Sequence, residues 1–322
     1  MKPVSWPPPA HAVKLMKFSN PYARVPNDWL KGSLHCHSTR SDGAQEPQTV
    51  IDSYRSHGYD FCALTDHNKH ADGQITADGL ISLTGCEYND FDYVIPNRAP
   101  HIGVVGTTVH IPHLPDVETA HAAVLATGGF STYNHPIWHY APWPQDLLLR
   151  LRGFHALEIN NALVNTQRGP ADAQYLWDRL LTAGYRIWGT AADDAHQAHE
   201  RNLAWVMVNA ERQTDSIVSA LKSGRFYATT GVQLHTIQLD ADGVLTVAGA
   251  DVEEIRIYVR HGELRQHTKN SSTRYQLRED DVYVRVVAYS AGTAAAWTNP
   301  IFVESDASRR VTSTFATSLH TA

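Results

Sequence analysis

The stretch LHCHSTRSDG, residues 34–43, places two histidines on either side of one cysteine and ends in an Asp-Gly turn. In an extended strand, successive side chains point to opposite faces, so His35 and His37 share one face and Cys36 lies on the other. Two imidazoles on one face at the end of a strand favour a metal site over a position in the core. The stretch therefore predicts a β-strand that presents metal ligands at its C-terminal end.

Strand and helix patterns alternate from residue 31 to about residue 231. The apolar strand segments are YDFCALTDHN, LISLTGCEYN, HIGVVG, FSTYNHP, FHALEINN and YRIWGTAADDAH. Helical segments between them include EPQTVIDSYRSHG, VETAHAAVLATGG, PADAQYLWDRLLTAG and TDSIVSALKSG. This alternation is typical of a parallel α/β sheet or barrel, in which the C-terminal ends of the strands share one rim. The fold class predicted for this region is therefore α/β, a parallel barrel or sheet.

The remainder of the chain has a different character on each side of this region. Residues 1–30 are rich in proline and are predicted to form an arm on the surface. Residues 232–305 show period-two alternation with Asp-Gly and Gly turns, which predicts a small antiparallel β module of sandwich type. Residues 306–322 read as a polar tail.

Composition limits the classes of function. The 322 residues are 43% hydrophobic and 19% charged, with a formal net charge of −6, which argues against a general nucleic-acid binder or a polybasic membrane binder. No apolar run approaches the roughly 18 residues that a membrane span needs. Prolines stand where a signal peptide would have its apolar stretch, and only three cysteines occur, so a cytoplasmic protein without a disulfide framework is expected.

Nitrogen and oxygen ligands recur at the strand ends. The set comprises His35, His37, Asp42, His67, Glu87, His101, His135, Asp194 and His196. Such a set without a thiolate suits Zn, Mn or Fe in a catalytic site better than a structural zinc finger. Nine ligands are too many for one divalent ion and suit two or three, with Glu87 as a natural bridge. His101 is the weakest member because it stands at the start of its strand.

Five motifs resemble those of the PHP (polymerase and histidinol phosphatase) family: GSLHCHSTRSDG, ALTDHN, GCEYN, NHP and ADDAH. The phrases GYDFCALTDHN, GRFYATTG and TNPIFV are similar to one branch, the carbaryl-hydrolase-like metallohydrolases. The resemblance implies a distorted (β/α)7 TIM-like barrel that holds two or three divalent ions on the same nine residues. The family pattern Asp-x-His favours Asp194 over Asp193 as the ligand. Asp66 and Asp193 are expected to orient ligands without binding metal.

The chemistry expected of this set is metal-assisted hydrolysis. Ions that share Glu87 would lower the pKa of a bridging water from 15.7 towards about 7, and the resulting hydroxide would attack a phosphorus or carbonyl centre. His196 or His101 would then supply a proton to the leaving oxygen.

The substrate has three open interpretations. A phosphoesterase for a small metabolite or nucleotide leads, and its cationic contacts would be Arg40, Lys69, Arg168 and Arg201. A hydrolase of carboxylic esters, carbamates or amides would instead use an aromatic pocket from Tyr88, Tyr93, Trp138, Tyr140 and Trp143. A non-catalytic metal-binding module is the third. The expected partner is a small molecule, with nucleic acid only as a nucleotide or short oligonucleotide, no membrane, and a possible homo-oligomer through the C-terminal module.

Overall fold

The computed structural model describes residues 16–23, 28–70, 74–75, 79–95 and 98–321. Within these ranges the protein is a mixed α/β structure with seven α-helices and three β-sheets. No α-helix in the described ranges is both long enough and apolar enough to cross a bilayer.

The first half of the chain supplies most of the strands that surround the site. In chain order its elements are β1 (Lys17–Ser19), β2 (Trp29–Ser33), α1 (Pro47–Ser56), β3 (Phe61–Ala63), β4 (Gln74–Ile75), β5 (Ile81–Leu83), β6 (Gly85–Tyr88), β7 (Ile102–Val105), α2 (Val117–Ala126), β8 (Phe130–Tyr133), α3 (Gln145–Arg150), β9 (Ala156–Asn161) and α4 (Ala162–Thr166). Each helical pattern predicted in this half is present as a helix, and α1 begins at the predicted proline.

The second half supplies the last strand of the rim, then a run of β-strands and a final helix. Its elements are α5 (Gln174–Thr182), β10 (Trp188–Ala192), β11 (Trp205–Asn209), α6 (Thr214–Lys222), β12 (Phe226–Thr229), β13 (Gln233–Leu239), β14 (Val244–Ala250), β15 (Glu254–Val259), β16 (Glu263–Thr268), β17 (Ser272–Gln276), β18 (Tyr283–Tyr289), β19 (Ala295–Thr298), β20 (Ile301–Glu304) and α7 (Asp306–Thr321). The segment interpreted as a polar tail is thus the helix α7.

Two sheets meet at the rim that carries the predicted ligands. One has the order β10-β9-β8-β7-β6, and the other contains β11-β2-β3-β5 in a longer sheet. They are joined by isolated parallel bridges, one from His67 to Glu87 and one from Cys36 to Ala195. The predicted barrel is therefore found as two sheets that touch at these bridges, and no continuous closed ladder runs through the described residues.

Strand β7 departs from the all-parallel prediction. It runs antiparallel to both β6 and β8, whereas β8 with β9 and β9 with β10 are parallel. The described residues between β6 and β7 contain no helix, so the chain returns alongside β6 instead of crossing over to a parallel position. As a result, the start of β7, where His101 lies, is at the same rim as the C-terminal ends of its neighbours.

The segment LISLTGCEYN, predicted as one strand, is two strands. β5 pairs with β3 in the longer sheet, and β6 pairs with β7 in the other. The chain changes sheets between them at Thr84 and Gly85. A Cβ at Gly85 would lie 2.9 Å from the carbonyl oxygen of Leu64, so only glycine permits this close approach.

The C-terminal β region is continuous with the rest of the molecule. β12 pairs with both β11 and β19, so the strands after residue 290 extend the same sheet that contains β2. A separate three-stranded sheet, β13-β14-β17, packs its apolar face on β15 and β18, with Leu245, Val247, Ile257 and Val286 in their shared core. The predicted sandwich-like packing is thus built partly on the sheet of the preceding region.

A buried ion pair connects this β region to helix α5. Arg285 on β18 is 2% exposed, and its Nε and Nη2 donate hydrogen bonds of 2.7 and 2.6 Å to the two carboxylate oxygens of Asp178. The hydroxyl of Tyr283 donates to Asp178 Oδ1 at 2.7 Å. Since both charges are removed from water, loss of one partner leaves the other buried and unpaired.

Replacing Arg285 by methionine should lower the free energy of unfolding by roughly 3–5 kcal/mol, because the Asp178 carboxylate would remain buried without its cation. The measurement is equilibrium denaturation in urea at neutral pH. The exposed pair between Arg186 and Glu304 provides the control, since Arg186→Met should cost at most about 1 kcal/mol. Similar losses in the two variants would contradict the structural role given to Arg285.

Candidate metal centre

The structure brings all nine predicted ligands together at the rim. Each is delivered by a strand end: His35, His37 and Asp42 after β2, His67 after β3, Glu87 on β6, His101 before β7, His135 after β8, and Asp194 and His196 after β10. The antiparallel direction of β7 accounts for His101, which the strand-end pattern alone left as the weakest member.

Glu87 occupies the centre of this cluster. Its side chain is 1% exposed, and ring nitrogens of five histidines surround its carboxylate. Oε1 lies 3.1 Å from His35 Nε2, 3.2 Å from His101 Nδ1 and 3.3 Å from His135 Nε2, and Oε2 lies 3.3 Å from His37 Nε2 and from His67 Nδ1. One carboxylate with five imidazoles at this distance is suited to bridge more than one cation.

Of the other two carboxylates in the cluster, one is buried and one lies at the surface. Asp194 is buried, and its Oδ1 lies 3.2 Å from the Nε2 atoms of both His35 and His37. Asp42 is exposed at the mouth, where its Oδ2 lies 3.3 Å from His196 Nε2. The donor atoms form three groups, each within 4.8 Å: His37, Asp42, His67 and His196; His35, His37, Glu87 and Asp194; and His67, Glu87 and His101.

The donor atoms of one group fit a divalent cation. Glu87 Oε2, His67 Nδ1 and His101 Nδ1 are buried, and among the described residues none has a hydrogen-bond partner. A buried polar atom without a partner costs free energy, which a bound cation would offset. Nitrogen and oxygen donors without sulfur suit Zn, Mn or Fe. Cys36 takes no part, since its thiol is buried and donates to the carbonyl oxygen of Ala63 at 3.3 Å.

The charges in the cluster change the proton affinity of its members in opposite directions. Burial lowers the pKa of His37, but the carboxylates of Asp194 and Glu87 outweigh it and raise that pKa to about 9. Burial lowers the pKa of His67 to about 4, because Glu87 opposes it only in part. At neutral pH His67 is therefore a free base, whereas His37 holds a proton that a metal ion must displace.

Metal binding should release protons and strengthen with pH. Because the pKa of His37 is about 9, we expect the apparent affinity for Zn or Mn to rise from about pH 6 to about pH 9. Calorimetric titration at pH 7 in buffers of different ionisation enthalpy measures the number of protons released. His37→Gln should release fewer protons than the wild type. Equal heats in all buffers would show that no proton is released, and would contradict the proton assigned to His37.

Of the two carboxylates expected to orient ligands, Asp66 bonds to the loop that carries His37, whereas Asp193 bonds to a segment without a predicted ligand. Asp66 accepts hydrogen bonds from the backbone N–H and the hydroxyl of Ser38, both at 2.7 Å, and from the hydroxyl of Ser41 at 2.8 Å. Asp193 is fully buried and accepts backbone N–H groups of the 202–204 segment. Burial raises the pKa of Asp193 to about 6. Asp193 faces away from the cluster, and Asp194 faces into it.

Sequence reasoning missed several residues that contact the predicted ligands. The amide of Asn134 donates to Glu87 Oε1 at 2.8 Å, and Glu158 Oε1 lies 2.7 Å from His35 Nδ1. Glu200 Oε2 accepts the backbone N–H of His196 at 2.8 Å. Asn134 and Glu158 lie at or near the ends of strands, so the rule that located the ligands could also have located these two residues.

The cavity above the cluster has an aromatic wall. It measures about 360 Å³, with predicted metal ligands on one side. Its other lining residues are Trp138, Tyr140, Ala141, Leu163, Gln167, Gln197 and Glu200. Of the five predicted aromatic residues, Trp138 and Tyr140 line it. Tyr88 and Trp143 are buried elsewhere, and Tyr93 borders a neighbouring cavity.

The four predicted cationic contacts lie outside this cavity. Arg40, Lys69 and Arg168 are exposed, and the Lys69 ammonium donates to the carbonyl oxygen of Arg40. Arg201 is 4% exposed and donates from Nη1 to Gln45 Oε1 at 2.5 Å. Among the described residues, the lining of the cavity therefore includes no lysine or arginine.

Comparison with known proteins identifies the fold. A scan against protein-family models and a search of curated proteins find no match. Among solved structures, the chain is similar to a two-domain protein from Bacteroides vulgatus containing a predicted PHP-like metal-dependent phosphoesterase, at 18% identity over 87% of this chain and 89% of that chain, with a TM-score of 0.50. At this identity the likeness shows a shared fold.

Two further solved structures are similar over half of the chain. One is an amidohydrolase from Chromobacterium violaceum, at 16% identity over 52% of this chain and 87% of that chain, with a TM-score of 0.35. The other is a protein from Bifidobacterium adolescentis proposed to be a metal-dependent phosphoesterase. It is 17% identical over 51% of this chain and 87% of that chain, with a TM-score of 0.38. Neither adds an argument at these scores.

Proposed function

We propose that the protein is a metal-dependent hydrolase. The observation that carries this proposal is Glu87, a buried carboxylate between five histidine ring nitrogens at 3.1–3.3 Å, at the floor of an open cavity. Two sheets that join at this rim suit the distorted (β/α)7 barrel that the motif resemblance implies. Two or three divalent ions on the nine-residue set would lower the pKa of a bound water and stabilise negative charge on the substrate.

Other residues of the cluster would exclude water and transfer a proton. His35, His37, His135 and Asp194 form a buried floor, which excludes bulk water from one side of the reacting group. His196 lies at the mouth, and its Nδ1 donates to the carbonyl oxygen of Asp194 at 2.9 Å. Its ring is therefore held with Nε2 near Asp42, and while that nitrogen carries a proton and no cation, it could supply the proton to the leaving oxygen. His101 is the second candidate for that transfer.

A phosphate ester is the substrate class that we infer first. A cluster that can hold more than one cation suits an in-line displacement at phosphorus, since both the attacking and the leaving oxygen need stabilisation. The motif resemblance points in the same direction. Since the described residues place no lysine or arginine in the cavity lining, the cluster itself would bind the phosphoryl group. A substrate with a single phosphoryl group is therefore favoured over a polyphosphate.

The test compares manganese-loaded protein with protein stripped by a chelator. We expect metal-dependent cleavage of p-nitrophenyl phosphate or bis-p-nitrophenyl phosphate, and little of p-nitrophenyl acetate. Glu87→Gln should lose at least about 100-fold in rate together with bound metal, because the amide bridges cations poorly. The matched control Glu304→Gln changes an exposed carboxylate and should leave both unchanged. A metal-loaded wild type that cleaves none of the three esters would contradict the proposal.

A second candidate is a hydrolase of carboxylic esters, carbamates or amides. The aromatic wall of the cavity favours it. The ring centroids of Trp138 and Tyr140 lie 5.4 Å apart, and Leu163 belongs to the same lining. Such a wall binds a neutral, planar group because the two surfaces bury apolar area against each other. The resemblance to the carbaryl-hydrolase-like branch supports the same candidate.

Trp138→Ala tests the aromatic wall on which the second candidate rests. If a neutral aryl group occupies the wall, kcat/KM for p-nitrophenyl acetate should fall about tenfold, the equivalent of roughly 1.4 kcal/mol, while that for ethyl acetate changes little. Tyr175→Ala is the control, because that ring is 72% exposed and does not line the cavity. An equal fall for the aryl and the ethyl ester would contradict an aryl site on Trp138.

A further inference from the structure

Glu158 contacts two of the proposed ligands on the side that faces away from the cavity. It lies on β9, is 2% exposed, and was not among the residues that the motifs indicate. Its Oε1 lies 2.7 Å from His35 Nδ1. Its Oε2 accepts the backbone N–H of His135 at 2.7 Å and the amide of Asn161 at 3.1 Å. Both oxygens of this carboxylate are thus used to hold other groups.

The contact with His35 determines which ring nitrogen carries hydrogen. An ionised carboxylate only accepts hydrogen bonds, so the nitrogen that faces Glu158, Nδ1, must be the donor. The other nitrogen, Nε2, faces the cluster, 3.1 Å from Glu87 Oε1 and 3.2 Å from Asp194 Oδ1. Glu158 therefore favours the tautomer in which the Nε2 lone pair is free to bind a cation.

The same group supports the backbone of His135, one of two proposed ligands with a conformation that is otherwise unfavourable. His135 has a φ of 25° and Asp194 a φ of 53°, values that residues other than glycine rarely adopt. Glu158 accepts the N–H of His135, and Asn161 donates both to Glu158 and to Asp194 Oδ2, the latter at 3.2 Å. Strained conformations of this kind persist only where surrounding contacts hold them.

We propose that Glu158 is a positioning residue of the metal centre, which holds His35 in its Nδ1–H form and fixes the backbone of His135. The inference rests on the proposed metal-dependent function but concerns metal binding and not the reaction. With its two oxygens directed to a ring nitrogen and a backbone N–H, Glu158 couples two ligands that come from different strands.

Glu158→Gln tests this role. Its amide has one oxygen in place of two, so its NH2 must face either His35 Nδ1 or the His135 N–H. We expect the dissociation constant for zinc to rise by about 10- to 100-fold, measured by competition with a chromophoric chelator. Asp178→Asn is the control for a buried carboxylate far from the rim, and should lower the melting temperature without changing zinc affinity. Glu158→Asp, which keeps the charge, should recover part of the affinity.

Nitrogen-15 NMR of histidine-labelled protein gives a readout that a purely structural role would not change. In zinc-loaded wild type, the His35 signal, assigned by its loss in His35→Asn, should show hydrogen on Nδ1, and Glu158→Gln should alter that signal. Unchanged zinc affinity in a folded Glu158→Gln variant would overturn the inference. If that variant does not fold, a zinc-loaded wild type without hydrogen on His35 Nδ1 would overturn it. A wild type that binds no divalent ion would instead contradict the proposed function.

Discussion

A carboxylate buried among five imidazoles organises this rim. In the part of the chain that the structure describes, no lysine or arginine pairs with Glu87, and its negative charge is surrounded by histidine ring nitrogens at 3.1–3.3 Å. A buried charge of this kind is costly unless protons or metal ions compensate it. The five histidines come from four strands, because His35 and His37 follow β2, His67 follows β3, His101 precedes β7 and His135 follows β8, so the site depends on the whole rim. The rim in turn requires two sheets that meet at His67 and Glu87.

The rim is supported from behind by groups that do not enter the cavity. Asp66, Asp193 and Glu158 are buried carboxylates that accept backbone N–H groups or hydroxyls. Their hydrogen bonds fix the loops, and that of Glu158 supports the positive φ of His135. A metal site needs ligands placed to within a fraction of an ångström, which flexible loops alone do not provide. The cavity above is less polar, and its aromatic wall restricts the group that can lie beside the cluster.

Much of this arrangement could be predicted from local patterns. The helices, the strand ends and the nine-residue set follow from periodicity and from polar residues after apolar runs. Their convergence follows from the shared rim of parallel strands, which places residues as distant as His35 and Asp194 side by side. Glu158 could have been found by the same rule, since it lies in a strand with a polar end. It was missed because a single carboxylate in FHALEINN lacks the repetition that marks His35 and His37.

The sequence by itself determined the alternating α/β region, the β-rich C-terminal part and the chemical identity of the cluster, because these depend on periodicity and residue type. Only the tertiary structure decided the direction of β7, the change of sheet at Gly85 and the two-sheet form of the rim. Those features depend on which strands pair and in what register, which local patterns do not specify. The tertiary structure also decided that Trp138 and Tyr140 line the cavity while Arg40, Lys69, Arg168 and Arg201 do not. Loop residues carry no periodic signal, and their direction is set by contacts with the completed fold.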